Sequence, residues 1–553
     1  MAFLTATWAV APLTPGGVIS LRSSVAWRVA ALGALAGALY FLACPPYGIA
    51  ALAWVALVPL FVAVHRADRC RQAVWAGGAM GLVACFGGYA WIADTAHRFW
   101  QVPWAFATLL LVLFGSFAEL HFTVFAFVAW RFRRRLALAP AAASAALYTG
   151  CEIFVPRIFP DKLGHTQVDA PGLAHAASLV GAHGLSFLLA WISASLVGLG
   201  IAWVARRYAG VSSDAAGAKV RLMFTTVELA LAVLMTAGFA AYGANHAARL
   251  AATPAERVLD VAIVQANIGD PEEIAAALGS VTRAIDSTVA TYIGLTAGMP
   301  GNTLPDVVVW PETAVPSVPR QRILDRLQQL VTPRHTTLIF GAYDAEHTPD
   351  SRWLSFNAAF CMSPAGEIVG RYAKHKLLLF GEYVPLSDHF PQLMNILPSP
   401  GEFTPGPGPR VFDVNGVPLT PLICYELLFP DVVRAALRAG GSVIVNLTND
   451  YWFGRGLEPE QHLALCRMCA LETDRPIVRA TNTGISALID ADGVVRARTR
   501  IWEPAVLHAT LAVPPMTWTP YMRWGHWTTA ALAAGAWLFA ALAQALFRRA
   551  AGE

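Results

Sequence analysis

The chain has 553 residues, 56% of them hydrophobic and only 14% charged, with a positive mean hydropathy. That composition excludes an ordinary soluble protein and points to a membrane protein with room for a separate globular domain. The formal net charge of +4 is small and the basic residues cluster at the ends of apolar segments, which argues against a nucleic-acid partner and for membrane orientation.

In chain order, the opening stretch 1–17 has no basic start and reads as a tail that stays on the protein. Seven apolar stretches of spanning length follow, near 29–46, 48–65, 73–93, 103–130, 136–155, 175–205 and 222–246, and an eighth lies near 527–547. Each can cross a hydrocarbon core of about 30 Å as a helix. Arg66, Arg69 and Arg71, then Arg131 with Arg133 to Arg135, then Arg206, Arg207, Lys219 and Arg221, and finally Arg548 and Arg549 make every second connection basic. The positive-inside rule then puts both termini in the cytoplasm and residues 248–525 outside, in the periplasm of a bacterium with two membranes. The division expected is 1–247 with seven spans, 248–525 as an outer domain, and 526–553 as a last span and tail.

The outer segment is richer in charge and proline and alternates β-branched runs with helical patterns. Strands are expected at 258–268, 306–310, 336–343, 356–362, 418–426, 442–448, 477–482 and 486–493, with helices at 321–331 and 459–474 between them, the pattern of a layered α/β domain. The apolar, Pro- and Gly-rich segment 386–409 suits an irregular loop near a membrane surface. The eight cysteines are spread mostly singly and form no disulfide framework. Cys466 and Cys469 make a lone CxxC beside His462, which reads as core packing and not as a metal site. His97, His165 and His183 read as bundle residues without a chemical role, and Glu119 and Glu152 as acids turned to the bundle interior or an end.

Three stretches carry reactive groups: WPETAVP with Glu312, RYAKHKLLLFGEYVP with Lys374 and Glu382, and ICYELLFP with Cys424 and Glu426. A carboxylate, an ammonium and a thiol together make a nucleophilic site, in which the acid takes the thiol proton, the sulfur attacks a carbonyl and the ammonium stabilises the oxyanion. Taken alone, Cys424 reads as a core residue, Glu312 as a loop acid and either Lys374 or Lys376 as a surface charge; the constellation separates the readings.

Those three words in this order resemble the nitrilase or carbon-nitrogen hydrolase superfamily over roughly 258–513, which implies an α-β-β-α sandwich. Seven leading spans and one trailing span, with CPPYGIAALAWVALVPL (44–60) and LVGAHGLSFLLAW (179–191), resemble the apolipoprotein N-acyltransferase branch of that superfamily. The fold class expected is therefore an α-helical membrane bundle of eight spans carrying a nitrilase-like sandwich. Carried over by motif, Glu312 is the general base, Lys374 the oxyanion stabiliser and Cys424 the nucleophile; Lys374, eight residues before Glu382, is preferred to Lys376. Glu382, Glu426, Asn357 of SFNAAF, and Asn449, Trp452 and Phe453 of NLTNDYWFG match further family positions near the site. The resemblance implies an inner-membrane acyltransferase with a phospholipid as acyl donor, a diacylated apolipoprotein as acceptor, and no metal or cofactor. LLLF (377–380) and the 386–409 loop are the expected apolar entry. The chain departs from the family pattern where no tryptophan follows VQANI, where Leu379 replaces a proline, and where 159–161 read FPD in place of FPW. The alternatives are a membrane-tethered amidase or nitrilase in which water resolves the intermediate, and a non-catalytic scaffold of the same fold.

Overall fold

The computed structural model describes residues 17–99, 101–133, 140–208, 215–300, 305–349, 353–379, 381–384, 389, 390, 392 and 403–551. The opening tail, Arg134, Arg135, Phe380 and most of the 386–409 loop lie outside these residues.

All eight apolar stretches are helical. They form α1 (Gly17–Ala43), a 3-10 turn at Ala50–Trp54 running into α2 (Val58–Arg66), α3 (Cys70–Gly88) with α4 (Trp91–Phe99), α5 (Trp104–Ala118) with α6 (Leu120–Phe132), α7 (Pro140–Phe154), α8 (Ala177–Tyr208), α9 (Ala215–Ala252) and a final helix, His526–Ala551. Length and composition alone let four described helices cross a membrane, and six crossings result if the two pairs bent by 62° and 47° each count as one. Residues 50–66 and the 15-residue α7 are shorter than a straight crossing of about 30 Å requires. The α5–α6 bend falls at Glu119, a buried carboxylate that a straight apolar helix would leave in hydrocarbon. Small residues bring helices together where lipid offers no hydrophobic drive: a Cβ on Gly33 would stand 2.1 Å from the Ala76 carbonyl oxygen, and one on Gly37 2.4 Å from that of Met80.

The segment between α9 and the final helix folds as β1 (Arg257–Gln265), α10 (Pro271–Leu278), α11 (Val281–Ala297), β2 (Val307–Val309), α12 (Gln321–Val331), β3 (Thr337–His347), β4 (Trp353–Met362), β5 (Ile368–Ala373), β6 (Phe412–Val414), β7 (Val417–Ile423), α13 (Pro430–Arg438), β8 (Val443–Thr448), α14 (Glu458–Thr473), β9 (Ile477–Thr481), β10 (Ala487–Ile489), β11 (Val495–Arg498), β12 (Ala505–Val513) and α15 (Pro520–Trp524), before α16 (His526–Ala551). Among the described residues the strands pair into two six-stranded sheets, ordered β12-β1-β2-β3-β4-β5 and β11-β10-β9-β8-β7-β6. Strand alternation decides the layers. In β1, Leu259, Val261 and Ile263 face the second sheet, where Val443, Val445 and Leu447 of β8 meet them. Ala262 and Val264 point the other way, onto α11 and α12, while Ile444 points onto α13 and α14. The result is the expected α-β-β-α sandwich.

α14 joins sandwich to bundle. Leu463, Cys466, Cys469 and Ala470 pack on the second sheet, whereas Ala464, Met468 and Leu471 enter the core of the bundle, so the helix is apolar on both sides. The CxxC cysteines are thus packing residues. The seam also carries hydrogen bonds. α8 is interrupted at Gly181 (φ +68°, ψ 172°), which frees the Ala182 N–H to donate to Glu472 of α14 at 2.7 Å. Tyr521 is buried against Gly181, whereas Trp524 and Trp527 are exposed, as residues of an interfacial aromatic belt are.

Gly181 cannot be replaced cheaply. A Cβ there would meet the Tyr521 ring at 2.3 Å in a backbone region that only glycine adopts. Gly181→Ala is expected to cost about 1–3 kcal/mol, seen as a lowered thermal midpoint of the detergent-solubilised protein. Gly535→Ala, with nothing within 4 Å, is the control and should shift stability by less than about 1 kcal/mol.

Candidate active site

Four strand ends and the middle of a fifth strand converge. Glu312 follows β2, Asn357 lies in β4, Lys374 follows β5, Cys424 follows β7 and Asn449 follows β8. Two of these ends carry unusual backbone: Cys424 has φ +56° and Thr313, next to Glu312, has φ +55°. A non-glycine residue in the left-handed region turns the chain sharply and lifts its side chain off the sheet end, and such local strain gathers at sites of chemistry.

Lys374 Nζ stands 2.9 Å from Glu382 Oε1 and 3.6 Å from Glu312 Oε1, with the lysine and both acids buried. Asn357 Nδ2 donates to both acids, at 2.6 Å to Glu312 Oε1 and 2.8 Å to Glu382 Oε1. Glu312 Oε2 accepts from the Asn449 N–H at 2.9 Å, and Glu382 Oε2 from the Leu378 N–H at 2.9 Å. Burial penalises the lysine charge, but Glu382, Glu312 and Cys424 outweigh that penalty and hold the ammonium well above its ordinary value. Burial pushes the Glu312 carboxyl up from 4.5; Lys374 opposes this and Glu382 adds to it. Lys376 is exposed and its Nζ lies 5.1 Å from the centre of the Phe429 ring, away from the acids.

Cys424 is 7% exposed. Burial first, then the field of Glu312, raise its thiol, while Lys374 and a hydrogen bond with Thr448 work the other way. The resting group is therefore a thiol, whose proton must leave as the sulfur attacks. The elbow that holds it is braced from behind. Asn446 Nδ2 donates to the Cys424 carbonyl at 2.9 Å, Arg479 Nη1 donates to Asn446 Oδ1 at 2.8 Å, and Arg479 Nη2 pairs with Asp450 Oδ2 at 2.8 Å, all out of water. Neither Arg479 nor Asp450 was singled out from sequence; an arginine inside the apolar run IVRAT was the available signal, because a buried charge needs a buried partner.

Glu426 does not face the thiol as a rival acid. Its Oε1 accepts from the N–H groups of His375 and Lys376, and its Oε2 from the Ile423 N–H and the Tyr372 hydroxyl, each at 2.8 Å. It fastens the Lys374 loop to the cysteine elbow. Trp452 and Phe453 sit where sandwich meets bundle: the Trp452 carbonyl accepts from Thr95 Oγ1 of α4 at 2.8 Å, and the Phe453 ring meets Trp91 edge-on at 4.9 Å between centroids.

Asp450, Glu458 and His462 bring ligand atoms within 4.8 Å of one another. The Arg479 guanidinium already supplies the positive charge that a cation would bring to Asp450, so the group reads as an ion-pair network.

A cavity open to solvent lies at Cys424. Leu378, Tyr425, Leu428 and Phe453 line its sandwich end, and Tyr40, Phe41, Tyr89, Trp91 and Phe159 carry it into the bundle. The wall is mostly apolar, with a few acids and bases among the rings.

The family models agree with both halves. One described as carbon-nitrogen hydrolase matches residues 260–521, and one described as apolipoprotein N-acyltransferase N-terminal domain matches 36–195. A protein named apolipoprotein N-acyltransferase from Bdellovibrio bacteriovorus is 33% identical over 491 residues, covering 85% of this chain and 86% of its own. One of the same name from Geobacter metallireducens is 31% identical over 524 residues, covering 94% and 95%. A solved amidase of the nitrilase superfamily from Nesterenkonia AN1 is 18% identical and aligns with a TM-score of 0.31 over 48% of this chain and 93% of its own. With that identity to the Bdellovibrio relative over most of its length, the chain belongs to the apolipoprotein N-acyltransferase family, a family of transferases built on a carbon-nitrogen hydrolase domain.

Proposed function

We propose that the protein takes an acyl chain from a phospholipid ester onto Cys424 and passes it to the α-amino group of a diacylglyceryl-cysteine apolipoprotein. The observation that carries this reading is a buried thiol opening on a mostly apolar cavity that runs on into the helical bundle, a wall that suits a fatty chain.

In the first half, Cys424 Sγ attacks the ester carbonyl as Glu312 takes the thiol proton, and the tetrahedral oxyanion forms against the Lys374 ammonium. Collapse breaks the carbon–oxygen bond, and Glu312 returns the proton to the departing lysophospholipid alkoxide. In the second half, the amine attacks the thioester carbonyl, Glu312 takes a proton from nitrogen, and the sulfur leaves and is reprotonated, which yields the amide. Glu382 and Asn357 position Lys374 and Glu312, Glu426 holds the loop of Lys374 to that of Cys424, Asn449 fixes the second oxygen of Glu312, Phe453 lines the cavity, and Trp452 ties its loop to α4. No cofactor or metal is needed for these steps. Leu378 on the cavity wall fits an apolar entry along 377–380.

The same reading divides the chain at 247 and 525 and counts eight crossings, α3 with α4 and α5 with α6 each making one. The basic residues at alternate connections support cytoplasmic termini and a catalytic domain on the periplasmic side of the inner membrane.

Intact-mass measurement after mixing the protein with phospholipid should show an acyl-sized adduct, absent from Cys424→Ala, that a diacylglyceryl-cysteine peptide discharges as amide. Discharge by water alone would identify a hydrolase. Because the base must be ionised and burial raises Glu312, acylation should fall as pH drops through a value above the ordinary 4.5, and the acid limb of a rate–pH profile locates it. Glu426→Gln offers one carbonyl oxygen for two carboxylate oxygens and turns an NH2 toward the Ile423 N–H. It should cost about 1–3 kcal/mol and slow acylation of Cys424, read from the thermal midpoint and from the single-turnover rate.

A further inference from the structure

Between α7 and α8, where the sequence reads FPDKLGHT, a 3-10 turn (Leu163–Gln167) is fixed from both sides. The Leu163 N–H donates to Glu152 Oε1 at 2.9 Å and the Gly164 N–H to Ser186 Oγ at 2.8 Å. Gly164 is pressed so closely on α8 that a Cβ would stand 2.0 Å from the Ala182 carbonyl oxygen. Lys162 and His165, held by this turn, line the wall of the cavity that opens at Cys424.

Lys162 is 2% exposed, yet among the described residues no carboxylate lies within 4 Å of its ammonium; its one polar neighbour is His165 Nε2 at 3.4 Å. The nearby acids act on Lys162 only from beyond 4 Å: Glu472 Oε1 accepts from Ala182, Glu152 Oε1 from Leu163 while its Oε2 has no partner among the described residues, and Asp161 Oδ2 accepts from the Tyr40 hydroxyl, with Arg157 beside Asp161. His165 Nδ1 accepts from the Lys162 N–H at 3.1 Å, so the neutral imidazole carries its proton on Nε2. With the amine protonated, it and the imidazole N–H stand as two donors 3.4 Å apart, with no acceptor between them. Buried charges are normally paired, and a pair of donors on the wall of an apolar cavity lacks only an anion.

We propose that Lys162 and His165 seat the phosphodiester of the acyl donor, holding its headgroup while an acyl ester reaches Cys424. This rests on the phospholipid-donor reading above. It makes the cavity a two-part site, with rings for the chain and two donors for the phosphate.

The test compares two donors of the same acyl chain on the full-length protein in detergent, a diacyl phospholipid and an uncharged p-nitrophenyl ester, by the rate at which Cys424 is acylated. Lys162→Met and His165→Phe should each raise the half-saturating phospholipid concentration by about tenfold or more, the loss of a charge-assisted hydrogen bond, and leave the ester rate within about twofold. An unchanged phospholipid dependence overturns the proposal. An equal loss with both donors overturns it as well, since the residues then only support the fold. Inorganic phosphate separates the sources of the anion: no competition supports a headgroup site, whereas competition that Lys162→Met removes assigns the pair to a free anion and overturns the donor assignment. If the wild type accepts the ester and never the phospholipid, the donor reading itself falls, a failure visible without any variant.

Discussion

The ammonium of Lys374 is the constraint on which the site depends. Two carboxylates within 4 Å of one nitrogen, all buried, cannot both hold negative charge unless that nitrogen holds a positive one. Asn357 completes the arrangement by donating to the same two oxygens, so that four side chains from three strands and a loop share one set of charges. Any displacement of the β5 end relative to the β2 end would separate these charges in a medium where separation is expensive. The sheet that orders β2, β3, β4 and β5 side by side is thus what keeps Glu312 and Lys374 in register.

From this follows the division of labour around the cysteine. Its thiol is raised by burial, and Glu312 raises it further while Lys374 lowers it, so the sulfur has no standing charge to lose to solvent. In the proposed reaction, reactivity arises on attack, when the proton would pass to Glu312 and the developing oxyanion would meet Lys374. A mostly apolar cavity wall suits that order of events, because a thioester formed beside it would meet few polar groups until an amine arrived with lipid chains of its own. The bundle is part of the active site in this sense. Half of the cavity wall is helix, and α14 is apolar on both faces because one serves the sandwich and the other the bundle.

Much of this was legible in sequence because it follows strong periodicities. The eight apolar runs became helices, and the β-branched runs at 258–268, 418–426 and 442–448 became β1, β7 and β8, the last two ending at Cys424 and Asn449. The strands that escaped, β5, β6, β11 and β12, are short, polar-faced or at sheet edges, as in VRAR, where half the residues face solvent and the hydrophobic signal is weak. The bends at residues 89–90 and at Glu119 were invisible for a different reason: hydropathy measures the length of an apolar run and says nothing of its straightness. The Arg479–Asp450 brace was missed because pairing between strand and loop is a fact of tertiary structure; the sequence offered only a charge where an apolar residue was due.

The acid two residues beyond the nucleophile shows how a local conflict in sequence dissolves in three dimensions. Read along the chain, Glu426 should oppose a thiolate at Cys424. In the fold its two oxygens are spent on four donors, three of them backbone N–H groups from both flanking loops, which spread the charge away from the sulfur. The three backbone bonds tie the residue before Cys424 to the two residues after Lys374. Cys424 and Lys374 follow strands in different sheets, β7 and β5, and a single carboxylate bridges the gap between them. An acid is suited to that post because no neutral side chain offers as many acceptor sites, and burial is tolerable because every donor it meets is already committed to it.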